Sequence, residues 1–224
     1  MMERREPAAP AVKVCGLTRP ADAETAGAAG AEYGGAILAP GYGRSVTPEA
    51  ARVIFRAFPG RAVGVFVDQP EGVVLPAAER AGLWGVQLHG SEPPALADRV
   101  RSAGFQVWKA VRVRAADDVL AALRGYAGRV DALLLDGWDP AAAGGTGTRF
   151  DWLQIAALRG EVPEGMRLVA AGGLRPGNVA EAVRILRPHV VDVSSGVERA
   201  PGEKDPAAVR AFVRAVRGLS FPIQ

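Results

Sequence analysis

Leu133-Leu134-Leu135-Asp136, followed by a loop that ends Gly144-Gly145-Thr146-Gly147, is the stretch from which the architecture is read. It has the form of a short apolar strand that delivers one carboxylate to its C-terminal end. The glycine-rich loop then leaves backbone amides open beside that carboxylate, an arrangement suited to a phosphorylated, oxygen-rich ligand. Comparable strand ends recur along the chain.

Working outward, apolar β-branched runs alternate with Ala-rich amphipathic segments from Ala11 onward. Strands are expected at Ala11–Cys15, Tyr33–Leu38, Ala62–Val67, Trp84–Leu88, Phe105–Ala110, Asp131–Leu135, Arg167–Ala171 and Val190–Val193. Helices are expected near 19–30, 48–57, 72–82, 92–103, 116–127, 151–158, 176–187 and 206–217. Thr47-Pro48, Arg175-Pro176 and Asp205-Pro206 read as helix starts, because proline fits a first turn where its missing donor is not needed. Repeated β-then-α units imply parallel strands with helical crossovers. The expected outcome is a single-domain (β/α)8 TIM barrel over 11–220, after a disordered tail over 1–10. An open doubly wound sheet is the alternative.

The chain has 224 residues, 49% of them hydrophobic, and can bury a sizeable core. No apolar run approaches the roughly 18–20 residues needed to span a bilayer, and the start lacks the apolar core of a secretory signal. One cysteine excludes an internal disulfide, which points to the cytoplasm and away from a membrane role. The net charge of +3 rests mainly on arginines scattered among helices rather than gathered with aromatics, so nucleic-acid binding is not expected. Two histidines and one cysteine, widely spaced, make no zinc motif.

In such barrels the chemistry sits on the loops after the strands. Strand 1 ends Lys13-Val14-Cys15-Gly16, with Lys13 and Cys15 on one face; if Val12 and Val14 meet the helices, both point inward. A lone cysteine is, on its own, more often a small buried hydrophobe than a catalyst. Arg44 is either a fork for a carboxylate or a solvated loop cation. Asp68 reads as a helix-start residue. Gln87 and His89 share a face at the end of strand 4, whereas His189 precedes strand 8 at the opposite pole. Lys109 faces either the helices or the mouth. Asp136 points inward at the top of strand 6, and Asp139 lies out in the loop. Gly172, Gly173, Ser194, Ser195 and Gly196 form paired turns after strands 7 and 8, where barrels of this kind hold phosphate.

These pieces resemble one family. Lys13-Val14-Cys15-Gly16-Leu17-Thr18, Val86-Gln87-Leu88-His89-Gly90, Leu134-Leu135-Asp136, Gly144-Gly145-Thr146-Gly147 with Phe150-Asp151-Trp152, Ala171-Gly172-Gly173-Leu174 and Val191-Asp192-Val193-Ser194-Ser195-Gly196-Val197-Glu198 follow the order found in phosphoribosylanthranilate isomerases. The resemblance implies an Amadori rearrangement of N-(5-phosphoribosyl)anthranilate to the 1-deoxyribulose 5-phosphate in tryptophan biosynthesis. Cys15 matches the family's general base and Asp136 its general acid. Arg44 matches the arginine that meets the anthranilate carboxylate, and His89 the histidine at the mouth. Gln87, Gly145 and Asp192 are expected to join the substrate site. The partner is a small phosphorylated substrate, with neither metal nor cofactor needed because the imine nitrogen is the electron sink; the chain acts as a monomer or homodimer. Gly41-Tyr42-Gly43 replaces the family's Ser-Pro-Arg-like approach to the arginine. Thr148 stands where lysine is common, and Gly137 to Ala143 form an insertion.

A free aspartic acid titrates near about 3.9 and a free thiol near about 8.5, so at neutral pH both start in the wrong state for these roles. Desolvation or the substrate phosphate is expected to raise Asp136, and Lys13 to lower Cys15 unless Asp192 neutralises it. Three rivals differ in chemistry. The sister isomerase of histidine biosynthesis uses two aspartates, and an epimerase-like barrel would want a metal and more histidines. A silent phosphate-binding barrel would not need Cys15 and Asp136.

Overall fold

The computed structural model describes residues 9–137 and 152–219. Eight parallel strands close into one barrel in chain order: β1 (Ala11–Val14), β2 (Tyr33–Ile37), β3 (Arg61–Phe66), β4 (Gly85–Leu88), β5 (Gln106–Val113), β6 (Ala132–Gly137), β7 (Arg167–Ala170) and β8 (Val190–Val193). The closing seam pairs β1 with β8, placing Lys13 beside Asp192. Cys15 N donates to Val193 O (2.8 Å), which extends the seam one residue beyond the strand. The open doubly wound sheet is thereby excluded. Residues 1–8 of the expected tail, and Gly145 with its loop, lie outside the described residues.

Helices α1 (Pro20–Ala28), α2 (Pro48–Arg56), α3 (Glu71–Ala81), α4 (Pro94–Ser102), α5 (Ala116–Tyr126), α6 (Trp152–Ala156), α7 (Val179–Leu186) and α8 (Pro206–Arg217) follow the strands. Thr47 and Asp205 cap α2 and α8 through their side chains, with proline at the first helical position in each. Two apolar layers result from the period-two alternation. Val12, Val14, Val86, Leu88, Leu133, Leu135, Val191 and Val193 pack outward against the helices. Tyr33, Val63, Trp108, Ala132, Leu134, Val169 and Val190 fill the interior. Fully burying such aliphatic side chains contributes about 1.5–3 kcal/mol each.

Three local readings differ from expectation. The helix expected at 176 starts at Val179. Asn178 Oδ1 accepts from Arg175 N (2.8 Å) and its amide donates to Gly173 O (2.9 Å), which holds 175–178 in a turn. Asp68 does not start a helix; its φ is +50°, and its carboxylate accepts from Ser91 N (2.6 Å), tying the loop after β3 to the loop after β4. A further segment folds beyond β8: β9 (Glu198–Ala200) and β10 (Glu203–Lys204) form a short antiparallel hairpin. Such short strands carry no readable periodicity.

Candidate active site

The C-terminal mouth of the barrel gathers two groups of side chains. On the β1–β8 side Lys13 is completely buried, its ammonium 3.1 and 3.0 Å from the two oxygens of Asp192. Cys15, 7% exposed, sits one pleat above on the same inward face. Gly35 on β2 makes room for it: a Cβ there would stand 2.8 Å from Cys15 Sγ. Burial pushes the thiol pKa up, the Lys13 ammonium opposes that shift, and the Asp192 carboxylate adds to it; the net direction is upward. Burial also opposes charge on Lys13, but Asp192 and then Cys15 hold it above the ordinary lysine value. Lys13 does act to lower the thiol as expected, but burial, the larger effect, leaves it raised. Asp192 offsets part of the lysine's influence, and desolvation outweighs the rest.

On the opposite side β4 and β6 bring a polar chain together. Gln87 Nε2 lies 2.7 Å from His89 Nδ1, and His89 Nε2 lies 3.2 Å from Asp136 Oδ2. Gln87 is buried, and its Oε1 has no partner among the described residues. His89 is held from behind, because Glu92 accepts from both Asp68 N (3.0 Å) and Gly90 N (2.9 Å). Lys109 bonds Glu92 Oε2 (2.8 Å), Leu88 O and Gly90 O, which resolves its facing: it lies on the helix side of β5.

The loops after β7 and β8 abut. Gly172, with φ +79°, approaches β6 so closely that a Cβ would meet Gly137 N at 2.2 Å and Asp136 Oδ1 at 2.9 Å. This residue therefore borders the Asp136 carboxyl as well as the turn expected to hold phosphate. Gly173 follows, also in the left-handed region at φ +61°. Gly196 packs under Leu174 O, where a Cβ would come within 1.9 Å. Ser194 and Ser195 lead from β8 into one 3-10 turn over Ser195–Val197. Asn178, buried and bonded to Gly173 O, anchors the first of these loops and was not singled out in the sequence.

Arg44 forks onto a carboxylate of the chain itself, that of Glu198, rather than one of a ligand: Nε lies 2.8 Å from Oε1 and Nη2 2.6 Å from Oε2. Lys204 Nζ lies 2.7 Å from Glu198 Oε1. Burial would raise the Glu198 pKa, but Arg44 and Lys204 outweigh it and hold the carboxyl below its usual range. His189 sits at the other pole, where its Nδ1 accepts from Leu168 N (2.9 Å); burial, then Arg159 and Arg167, lower its pKa. No group of His, Cys, Asp or Glu among the described residues is arranged to hold a metal ion. Among the described residues no helix is long and apolar enough to cross a membrane. A thiol, a carboxyl and two glycine- and serine-rich turns thus stand around one opening, at the C-terminal ends of β1, β6, β7 and β8.

Comparison with known proteins agrees over nearly the whole chain. Residues 12–215 match the family model described as N-(5'phosphoribosyl)anthranilate (PRA) isomerase. A protein of that name from Geobacter sp. (strain M21) is 47% identical over 211 residues, covering 93% of this chain and 98% of its own. The phosphoribosyl anthranilate isomerase of Thermotoga maritima superposes with a TM-score of 0.86 at 38% identity, covering 94% of this chain and 100% of that one. A second structure of such an isomerase, in complex with reduced 1-(o-carboxyphenylamino)-1-deoxyribulose 5-phosphate, gives a TM-score of 0.82 at 36% identity over 94% and 100%.

Proposed function

The chain belongs to the N-(5'-phosphoribosyl)anthranilate isomerase family, and we propose that Cys15 is its general base and Asp136 its general acid. As an aldose–ketose isomerase of tryptophan biosynthesis, it converts N-(5'-phosphoribosyl)anthranilate to 1-(2-carboxyphenylamino)-1-deoxyribulose 5-phosphate. The observation that carries the assignment of roles is that the inward faces of β1 and β6 deliver this thiol and this carboxyl to the same mouth.

The ribose opens first: Asp136 gives a proton to the ring oxygen as the nitrogen lone pair breaks the C1–O bond, leaving a protonated imine conjugated to the anthranilate. Cys15, as thiolate, removes the C2 proton. The electron pair runs to the imine nitrogen, and the enolamine so formed tautomerises to the ketone. His89 orients the Asp136 carboxyl by its Nε2–H, and Gln87 fixes the tautomer that makes this donation possible. Lys13 holds a compensating charge beneath the thiol. Each correctly placed acid or base is worth about 10²- to 10⁴-fold in rate.

Gly173, Ser194, Ser195 and Gly196 take the substrate phosphate, with Gly172 as border between phosphate and acid. The phosphate is idle in the chemistry but supplies binding energy remote from the reacting carbon. Arg44 takes the anthranilate carboxylate, and Gly145 and Asp192 complete the substrate site. The enzyme works in the cytoplasm as a monomer or homodimer, without cofactor. The lone cysteine supports that compartment.

The direct test is to incubate the purified chain with N-(5'-phosphoribosyl)anthranilate and follow the loss of its fluorescence. Turnover by the wild-type chain is expected. Failure to turn over this substrate while accepting the bis-phosphorylated substrate of the sister isomerase would reverse the reading.

A further inference from the structure

The Arg44 guanidinium uses only one of its two edges. Nε and Nη2 lie on Glu198, while Nη1 has no partner among the described residues. A guanidinium held along its side edge presents its end edge to a second planar anion in fixed orientation. Glu198 therefore aligns Arg44 rather than blocking it. A simple pair, however, would leave little net charge to attract that second anion.

Lys204 changes the balance. Its ammonium is 2.7 Å from Glu198 Oε1 and 3.2 Å from Ser194 O, and its side chain is fully buried. The β9–β10 hairpin carries it there, and Gly202 N closes on the same Oε1 at 3.4 Å. Gly16 makes room for the cluster: with φ +71°, a Cβ at that position would stand 2.8 Å from Arg44 Cδ and 3.6 Å from Lys204 Nζ. Burying an ammonium is costly unless its partner is fully committed to it, yet here one carboxylate serves two cations. Burial accordingly pushes the lysine pKa down against the pull of Glu198.

We propose that Lys204 is a positioning residue for the carboxylate end of the substrate. By sharing Glu198 it leaves Arg44 aligned, with one uncancelled positive charge on the cluster. The proposal rests on the reading that Arg44 meets the anthranilate carboxylate. A second consequence reaches the base. The charged groups facing Cys15 are Lys13 on its own strand, Asp192 on β8, Arg44 after β2 and Lys204 on β10. Lys204 is one of the cations that oppose the upward push of burial on the thiol.

The experiment compares Lys204→Met, Lys204→Arg and Arg44→Ala in the full chain. It measures kcat and KM on phosphoribosylanthranilate and on the aniline analogue that lacks the carboxylate. It also follows the pH midpoint of iodoacetamide alkylation, which reports on Cys15 because the chain has one cysteine. Lys204→Met should raise KM about tenfold for the carboxylate substrate, the weight of one charge-assisted contact, and far less for the analogue. It should also move the alkylation midpoint upward, and Lys204→Arg should restore KM. An equal rise for both substrates, or none, overturns the proposal. If Arg44→Ala leaves KM unchanged, the reading of Arg44 fails; if it raises KM and Lys204→Met does not, only this inference fails. Should Lys204→Met not fold, Glu198→Gln replaces it. That variant should raise KM for the carboxylate substrate and lower the alkylation midpoint; movement in neither sinks the idea.

Discussion

His89 Nε2 stands 3.2 Å from Asp136 Oδ2, although the two residues come from strands β4 and β6 with β5 between them. The contact crosses the barrel mouth above the apolar interior, and it is the described side-chain hydrogen bond that orients the proposed acid. Replacing His89 by leucine removes the hydrogen bond to a carboxyl that becomes charged as it gives up its proton, worth about 1.5–3 kcal/mol. The expected result is a fall in kcat of about 10- to 100-fold with little change in melting temperature, and partial recovery in His89→Gln. Steady-state kinetics beside thermal denaturation decides between orientation and mere packing.

Lys13 and Asp192 form a buried pair across the closing seam. Removing one partner leaves an uncompensated charge in the barrel, so Lys13→Met is expected to cost about 3–5 kcal/mol. Lys13→Met combined with Asp192→Leu should regain most of that loss, because two apolar side chains of similar volume need no counter-ion. Urea unfolding of the three variants gives the cycle. A double variant as unstable as the two losses added would mean that the pair is not coupled.

The Cys15 thiol is held above its ordinary value, which has consequences for both rate and stability. In the folded state the proton is retained to higher pH than in the unfolded chain. The native state therefore binds more protons in that interval, and stability falls as pH rises from about 8.5 upward through the folded value. Over the same interval the thiolate fraction grows, so kcat/KM should still be climbing above pH of about 8.5. Cys15→Ser should flatten the alkaline loss of stability. A rate plateau already reached at neutral pH would show that the thiol is not raised.

Gly172 combines a left-handed φ with contact against Asp136 and Gly137 N. Alanine there faces backbone strain of about 1–3 kcal/mol and must also displace the neighbouring carboxyl. Both melting temperature and kcat should drop, the second by more than the stability loss alone explains. An alanine variant with wild-type kcat would show that Asp136 tolerates displacement.

The barrel and much of its mouth were legible because inward and outward residues alternate strictly. Lys13 with Cys15, Gln87 with His89, and Asp136 at the end of an apolar run all follow from period two. Other features left no such trace. Lys109 lies on a strand buried on both faces, so its side depended on Glu92, a residue 17 positions away. Glu198 stands in the sequence only as the end of a motif, and nothing around Lys204 marks it. Their pairing depends on a hairpin of three- and two-residue strands. Asn178 carries no signal in the sequence because Pro176 has the form of a helix start, whereas the Asn178 side chain turns the chain before the helix begins.

The most direct measurement is the turnover of N-(5'-phosphoribosyl)anthranilate, followed by fluorescence, by Cys15→Ser and by Asp136→Asn with folding verified by circular dichroism. Each variant should lose at least about 10²-fold in kcat, the contribution of a placed base or acid, while still binding the product. A folded variant of either kind that keeps a rate near that of the wild type would contradict the account.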